Sequence, residues 1–172
     1  DLDLFTPGDR DQARTRLGLP LDRQIVVFVG EARPEKQVHL LEGAVEALRA
    51  DGAPVDLVIA SGLPHDQVPQ IMQAADVLGL MSRYEGSPMV IKEAMACNCP
   101  IVATNVGDVA DVTAGTAQTC VTGFSAPPIA EALKTILSTP ARTDGRGRID
   151  RYDSRKIAEK LAEIYRKTLQ HG

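Results

Sequence analysis

The sequence predicts an α/β domain built on a doubly wound parallel sheet, and three observations carry that prediction. Short apolar runs rich in β-branched residues recur along the chain, the pattern of strands covered on both faces. Between them lie segments whose apolar residues repeat at three and four, the helical period. The two alternate at the pitch of βαβ units, whose right-handed crossovers make a parallel sheet with helices on either face. With 172 residues, 44% of them hydrophobic, the chain can bury one substantial core and is short for two full domains. A single domain over 1–172 is expected.

"QIVVFVG" (24–30) is a continuous apolar run ending in glycine, the mark of a buried parallel strand. A helix is expected over 34–50, with Val38, Leu41, Ala44, Val45 and Leu48 on one stripe and Asp51-Gly52 as its stop. "VDLVIAS" (55–61) reads as a second buried strand, and a short helix over 65–75 follows Gly62-Leu63-Pro64. "DVLGLMS" (76–82) is the third strand, 88–97 a helix, "IVAT" (101–104) the fourth strand and "AQTCV" (117–121) a weaker fifth. Helices over 127–137 and 154–169 close the chain, the last with Ile157, Leu161, Ile164 and Tyr165 on one stripe. The Gly-, Pro- and charge-rich stretch 139–148, "TPARTDGRGR", reads as a flexible connection.

Composition excludes several functions. A net charge of -4 with scattered basic residues leaves no electrostatic footprint for nucleic acid. No apolar run approaches the roughly 18 residues needed to cross a bilayer, and no signal peptide opens the sequence. The start without methionine predicts either processing or a piece cut from something longer. Three cysteines, Cys97, Cys99 and Cys120, are too few for a disulfide framework and fit a reducing cytoplasm. Cys97 and Cys99 lack a second pair or a histidine at ligand spacing, so they read as buried structural thiols and no metal site is expected.

In such sheets ligands bind beyond the carboxyl ends of the strands, which directs attention to 30–37, 61–66, 82–88 and 104–108. "GEARPEK" (30–36) has neither the dinucleotide nor the P-loop glycine pattern. It does bring Arg33 and Lys36 to an expected helix start, where two cations and unpaired amides would clamp a diphosphate. The plain alternative is two solvated cations. In 85–100, Ser87 suits an N-cap, Pro88 the first helical position and Asn98 a left-handed stop. Val90, Ala94 and Cys97, with Ile91 and Met95, would pack on the sheet. Glu93 falls on another side, roughly 9 Å along the axis from the cap. An anion at the helix start would meet free amides after Gly86, whereas Glu93 is too far along to serve that anion and suits the diol of a ribose. Glu85 would face the other end of the same ligand. The plain alternative makes Glu85 a loop residue and pairs Glu93 with a cation such as Lys92 or Arg83.

"SRYEGSPMVIKEAMACNCPIVATNVGDVADV" (82–112) resembles the signature of retaining glycosyltransferases of family four, whose E-x7-E motif aligns with Glu85 and Glu93. "DLFTPGDRDQARTRLGLP", "RPEK" and "PHDQVPQIMQAADVL" extend the resemblance over nearly the whole chain. It implies one Rossmann-like half of a GT-B architecture, the C-terminal half, which holds a nucleotide-diphosphate sugar as donor substrate and uses no further cofactor. The N-terminal acceptor domain of the parent enzyme would then lie outside this sequence. By the same resemblance Glu93 contacts the ribose and Glu85 lies near the transferred sugar. The backbone of Gly86, Ser87, Pro88, Met89 and Val90 approaches sugar and phosphates, and Lys36 holds the diphosphate.

Two departures qualify the match. Glu31 stands where the family pattern has a cation after the strand-ending glycine, so the arginine role moves to Arg33. The stretch after the second strand is short, which leaves base recognition near Gly62, Leu63 and His65, with His65 read as a loop or helix-capping residue rather than a catalyst. The implied activity is metal-independent retaining transfer of a hexosyl type, poor in the isolated domain, in the cytoplasm or at the membrane periphery of the full-length enzyme. A homodimer through the exposed cleft face is a further expectation. The rival is a noncatalytic or engineered α/β binding module derived from this fold.

Overall fold

A computed structural model describes residues 1–170. Among the described residues, five parallel strands form one sheet: β1 (Gln24–Val29), β2 (Val55–Ala60), β3 (Val77–Leu80), β4 (Ile101–Thr104) and β5 (Thr119–Thr122), in the order β2-β1-β3-β4-β5. Helices α1 (Arg10–Leu17), α2 (Val38–Ala50), α3 (Val68–Ala74), α4 (Met89–Ala96), α5 (Val109–Thr113), α6 (Ala126–Leu137) and α7 (Ser154–Gln170) complete the description. The doubly wound α/β class is as expected.

The pleat divides the core in two. Val26 and Phe28 of β1 point into one apolar cluster with Leu41 and Val45 of α2 and Ile129 and Leu133 of α6. Val27, one residue out of phase, joins the opposite cluster with Met72 of α3 and Ile91, Ala94 and Met95 of α4. At the centre of β3, Gly79 leaves the space that Leu41 fills: a Cβ there would lie 2.6 Å from Leu41 Cδ2. Strand order reverses between β1 and β3, so the crevice of an open α/β sheet falls at their carboxyl ends.

Four expectations change. The strand β2 pairs only with β1 at the sheet edge and is half-buried rather than buried on both faces, with Ile59 exposed. The first long helix begins at Val38, because Gln37 takes a left-handed conformation (φ 45°) and cuts Pro34–Lys36 off as a separate 3₁₀ turn. The charged stretch 139–148 is no free connection. Arg142 donates to the carbonyls of Ala75 (2.6 Å), Met72 (3.0 Å) and Cys97 (3.2 Å), and Arg146 to those of Phe5, Leu2 (2.8 Å) and Ala96 (3.3 Å). A guanidinium fork satisfies carbonyls left open at helix ends, so this segment is a strap across α3 and α4. The apolar stripe of α7, finally, is exposed rather than packed: Ile157 and Leu161 are each 48% accessible.

The helix α1 was not delimited from sequence. Asp9 caps it by accepting from the Gln12 amide (2.8 Å), and Gly18 ends it at φ 67°. Its Arg14 is only 1% exposed and is consumed by Asp76 (2.5 Å) and by the carbonyls of Ala74 and Arg23 (each 2.9 Å).

Candidate functional site

Three loops meet at the carboxyl ends of β1, β2 and β3. Around them lie two adjoining hollows of about 310 and 290 Å³ that share Val29, Gly30, Glu31 and Val90. Arg33, Lys36, Glu85, Pro88 and Met89 line the first; Gly62, Leu63, His65 and Glu93 line the second. The cleft therefore collects residues drawn from positions 29–93, with the two motif glutamates in different hollows.

At the first end, Lys36 Nζ lies 2.5 Å from Glu85 Oε1, and the buried Ser82 hydroxyl donates to the same oxygen at 2.7 Å. Ser82 is held in turn from β4, where Thr104 Oγ1 donates to its carbonyl at 2.7 Å. The Arg83 amide donates to the Glu35 carbonyl (2.8 Å) and joins the two loops through their backbones. Lys36 and Glu85 are thus fixed relative to β3 and β4 before any ligand arrives. Arg33 differs, for it pairs with Glu31 and both side chains are 64% exposed. Because Lys36 rides on the 3₁₀ turn, neither cation stands at the start of α2, contrary to expectation.

At the second end, Glu93 is partly buried beside Val29 and Val90. Burial pushes its carboxyl above the ordinary 4.5, against the opposing pull of the His65 and N-terminal charges. His65 opens a 3₁₀ turn (His65–Gln67) and packs its ring against Phe5, centroids 5.1 Å apart.

The helix between them starts differently from the sequence expectation. Pro88, not Ser87, occupies the N-cap of α4 with an extended backbone (φ -65°, ψ 115°), and among the described residues no side chain caps the first turn. The Ile91 amide turns back to the Pro88 carbonyl (3.3 Å), and those of Met89 and Val90 are left for another acceptor. Ser87 instead donates to Asp108 Oδ2 (2.8 Å) and receives Lys92 Nζ (2.8 Å). Lys92 is 7% exposed and pairs with Asp108 (3.0 Å), so it is not Glu93's partner. Burial raises the Asp108 carboxyl, but the Lys92 and Ser87 hydrogen bonds outweigh it and hold the group below the ordinary 3.8. Asn98 stops the helix in the left-handed region (φ 52°), as expected. Sequence reasoning placed Ser82, Thr104 and Asp108 within the loops 82–88 and 104–108 but gave them no role, which comes only from the adjacency of β3 and β4.

A larger hollow of about 550 Å³ lies elsewhere, bordered by Gln24 and Asp76 at the amino ends of β1 and β3. Its arginines are spent: Arg10 and Arg14 on Asp76, Arg23 on Asp56, Arg142 on three carbonyls. The carboxyl-end cleft is the better site because it lies beyond the carboxyl ends of β1 and β3, where the strand order reverses and open α/β sheets bind their ligands. Among the described residues no group of three or more His, Cys, Asp or Glu is placed to hold a metal ion, and no helix is long and apolar enough to cross a membrane. Cys97 and Cys99 are buried thiols, raised by burial to about 12 and about 11.

The family model for glycosyl transferases group 1 matches residues 60–156. Over its whole length the chain is 30% identical to D-inositol 3-phosphate glycosyltransferase 1 of Catenulispora acidiphila, of which it covers 51%. It superposes on sucrose-phosphate synthase from Thermosynechococcus elongatus with a TM-score of 0.85 and 26% identity, covering 100% of this chain and 51% of that one. Anabaena HepE in complex with UDP shares the fold at a TM-score of 0.76 and 21% identity, with 97% of this chain and 55% of that one covered. The chain spans about half the length of these proteins.

Proposed function

The chain belongs to the glycosyl transferases group 1, and from that premise we propose that it is the donor-binding domain of a retaining, metal-independent glycosyltransferase. The observation that carries this reading is the pair of adjoining hollows, one lined by Lys36 and Glu85 and the other by Glu93, with Val29, Gly30, Glu31 and Val90 common to both. Their extent suits a nucleotide-diphosphate sugar rather than a compact ligand.

In this reading Glu93 accepts two hydrogen bonds from the ribose diol, and Gly62, Leu63 and His65 border the base. The diphosphate lies at the uncapped start of α4, over the backbone from Gly86 to Val90. Lys36 and Arg33 neutralise the charge that develops on the departing diphosphate, so amides and cations supply the stabilisation a metal would otherwise give. Glu85, held by Lys36 and Ser82, orients the transferred hexosyl group while its anomeric carbon gains oxocarbenium character.

The acceptor, and any group acting on the far side of the anomeric carbon, would come from an N-terminal domain of the parent enzyme. The half-length coverage of relatives supports that arrangement, as does the uncovered stripe of α7. The isolated domain is then a nucleotide binder with little turnover. Buried, unpaired thiols suit a reducing cytoplasm. In calorimetry with UDP, GDP and ADP, at least one should bind and Glu93→Ala should weaken it. Absence of any binding would favour a noncatalytic module, and binding indifferent to Glu93 would overturn the site.

A further inference from the structure

Lys92 precedes the ribose-binding candidate by one position, yet it is buried and turned to another partner. Its ammonium donates to Ser87 Oγ at 2.8 Å and to Asp108 Oδ2 and Oδ1 at 3.0 and 3.1 Å, while Ser87 Oγ donates to Asp108 Oδ2 at 2.8 Å. The Tyr152 ring lies 5.3 Å from the same ammonium. A buried ammonium is costly unless its protons are satisfied, and here they converge on one carboxylate and one hydroxyl. Both belong to loops at the carboxyl ends of strands, Ser87 after β3 and Asp108 after β4.

A second contact joins the same two loops. Gly107 sits at φ 53°, and a Cβ built on it would fall 2.2 Å from the Gly86 carbonyl oxygen and 2.9 Å from that of Glu85. The turn after β4 therefore lies backbone to backbone against the motif loop, and the Lys92–Asp108–Ser87 cluster closes the contact from the side. The clamped stretch, 85–88, leads directly into the uncapped start of α4.

We propose that Lys92 and Asp108 are positioning residues, which fix the backbone of Gly86 to Val90 against the turn after β4 so that its amides receive the terminal phosphate of a nucleoside diphosphate. This rests on the donor-site reading above. Neither residue touches the ligand; Lys92 acts through Ser87 and Asp108, and Asp108 through the loop it grips. The cluster grips the first turns of α4 through Lys92 but makes no contact with the Glu93 carboxylate, on which the ribose end depends. Loosening the clamp should therefore act more strongly at the phosphate end than at the ribose end.

The test compares nucleoside diphosphates with the matching monophosphates on the chain, by calorimetry with UDP and UMP, GDP and GMP, and ADP and AMP. In Lys92→Met and Asp108→Asn the preference for diphosphate over monophosphate should fall on the order of tenfold, since small misplacements of a preorganised contact carry such costs. Glu93→Ala should weaken both members of a pair alike. Asp108→Asn retains shape and hydrogen-bonding groups, so it serves where Lys92→Met fails to fold. If wild type binds and Glu93→Ala weakens it, but folded Lys92→Met or Asp108→Asn keeps the full preference, the positioning role is wrong and the donor site stands. If wild type binds none of these nucleotides, the donor-site reading falls and takes this proposal with it.

Discussion

Lys36 and Glu85, 49 positions apart, meet as an ion pair of 2.5 Å at the mouth of the cleft, with side chains only 27% and 17% exposed. The pair has a cost for anion binding. A carboxylate beside the cation subtracts from the charge that Lys36 can offer a diphosphate. Opposite substitutions should therefore act in opposite directions. Lys36→Ala should weaken nucleoside diphosphate binding about tenfold, the scale of one charge-assisted hydrogen bond. Glu85→Gln should leave that affinity unchanged or raise it, while lowering sugar transfer in the full-length enzyme. Calorimetry on the domain and initial rates on the enzyme separate the two, and a large loss of diphosphate affinity in Glu85→Gln would contradict the assignment.

Burial holds the Glu93 carboxyl above its ordinary 4.5. A diol donates to the ionised form, so nucleotide affinity should decline as pH falls through this raised value, earlier than for an exposed glutamate. For stability the sign is reversed. The folded state holds this proton more tightly than the unfolded chain does, so Glu93 favours folding as pH falls toward the unfolded value and opposes it once ionised. Glu93→Gln should consequently raise the melting temperature of the free domain at pH 7 while reducing nucleotide affinity and removing the pH step. Paired melting and binding curves at pH 5 and 7 check both halves.

The sheet was legible in the sequence because strands buried on both faces read as short, nearly continuous apolar runs, as Gln24–Val29 and Val77–Leu80 do. The stop of α4 was legible for a local reason, as Asn98 tolerates a left-handed backbone. What stayed hidden depends on partners distant in sequence. Lys92 reads as a surface cation until β4 brings Asp108 beside it. The α1 helix buries an arginine rather than an apolar stripe, so periodicity could not reveal it, although Asp9 and Gly18 mark its ends. Both glutamates of the motif were readable by spacing, whereas Ser82 and Thr104, which hold Glu85 from below, gain meaning only from the β3–β4 pairing.

The strap shows how composition misleads. Gly, Pro and Arg usually spell a mobile loop, yet Gly145 lies so close to α4 that a Cβ would sit 2.8 Å from Met95 Cα and 2.9 Å from its Cβ. Gly145→Ala should force the strap off the helix and cost about 1–3 kcal/mol. Arg142→Met strips a donor from three carbonyls and should cost about 2–3 kcal/mol. Urea denaturation measures both. Wild-type stability in either variant would mean that the segment is dispensable.

The last helix poses the opposite case, an apolar stripe that the domain itself does not cover. Ile157, Leu161, Ile164, Tyr165 and Leu169 are between 48% and 83% exposed, and their spacing sets them along one side of α7. Truncating a side chain buried in a core costs about 2–5 kcal/mol, whereas a surface change away from special contacts stays within about 0.5 kcal/mol. Leu161→Ser combined with Ile164→Ser should therefore leave the urea midpoint of the isolated domain nearly unmoved. Under the donor-domain proposal, a longer parent whose N-terminal domain covers this stripe should lose several kcal/mol from the same pair. A second copy covering it would show instead as self-association of the isolated domain in sedimentation, abolished by the double substitution. A large loss in the isolated monomer would mean that α7 is part of this domain's own core and carries no partner surface.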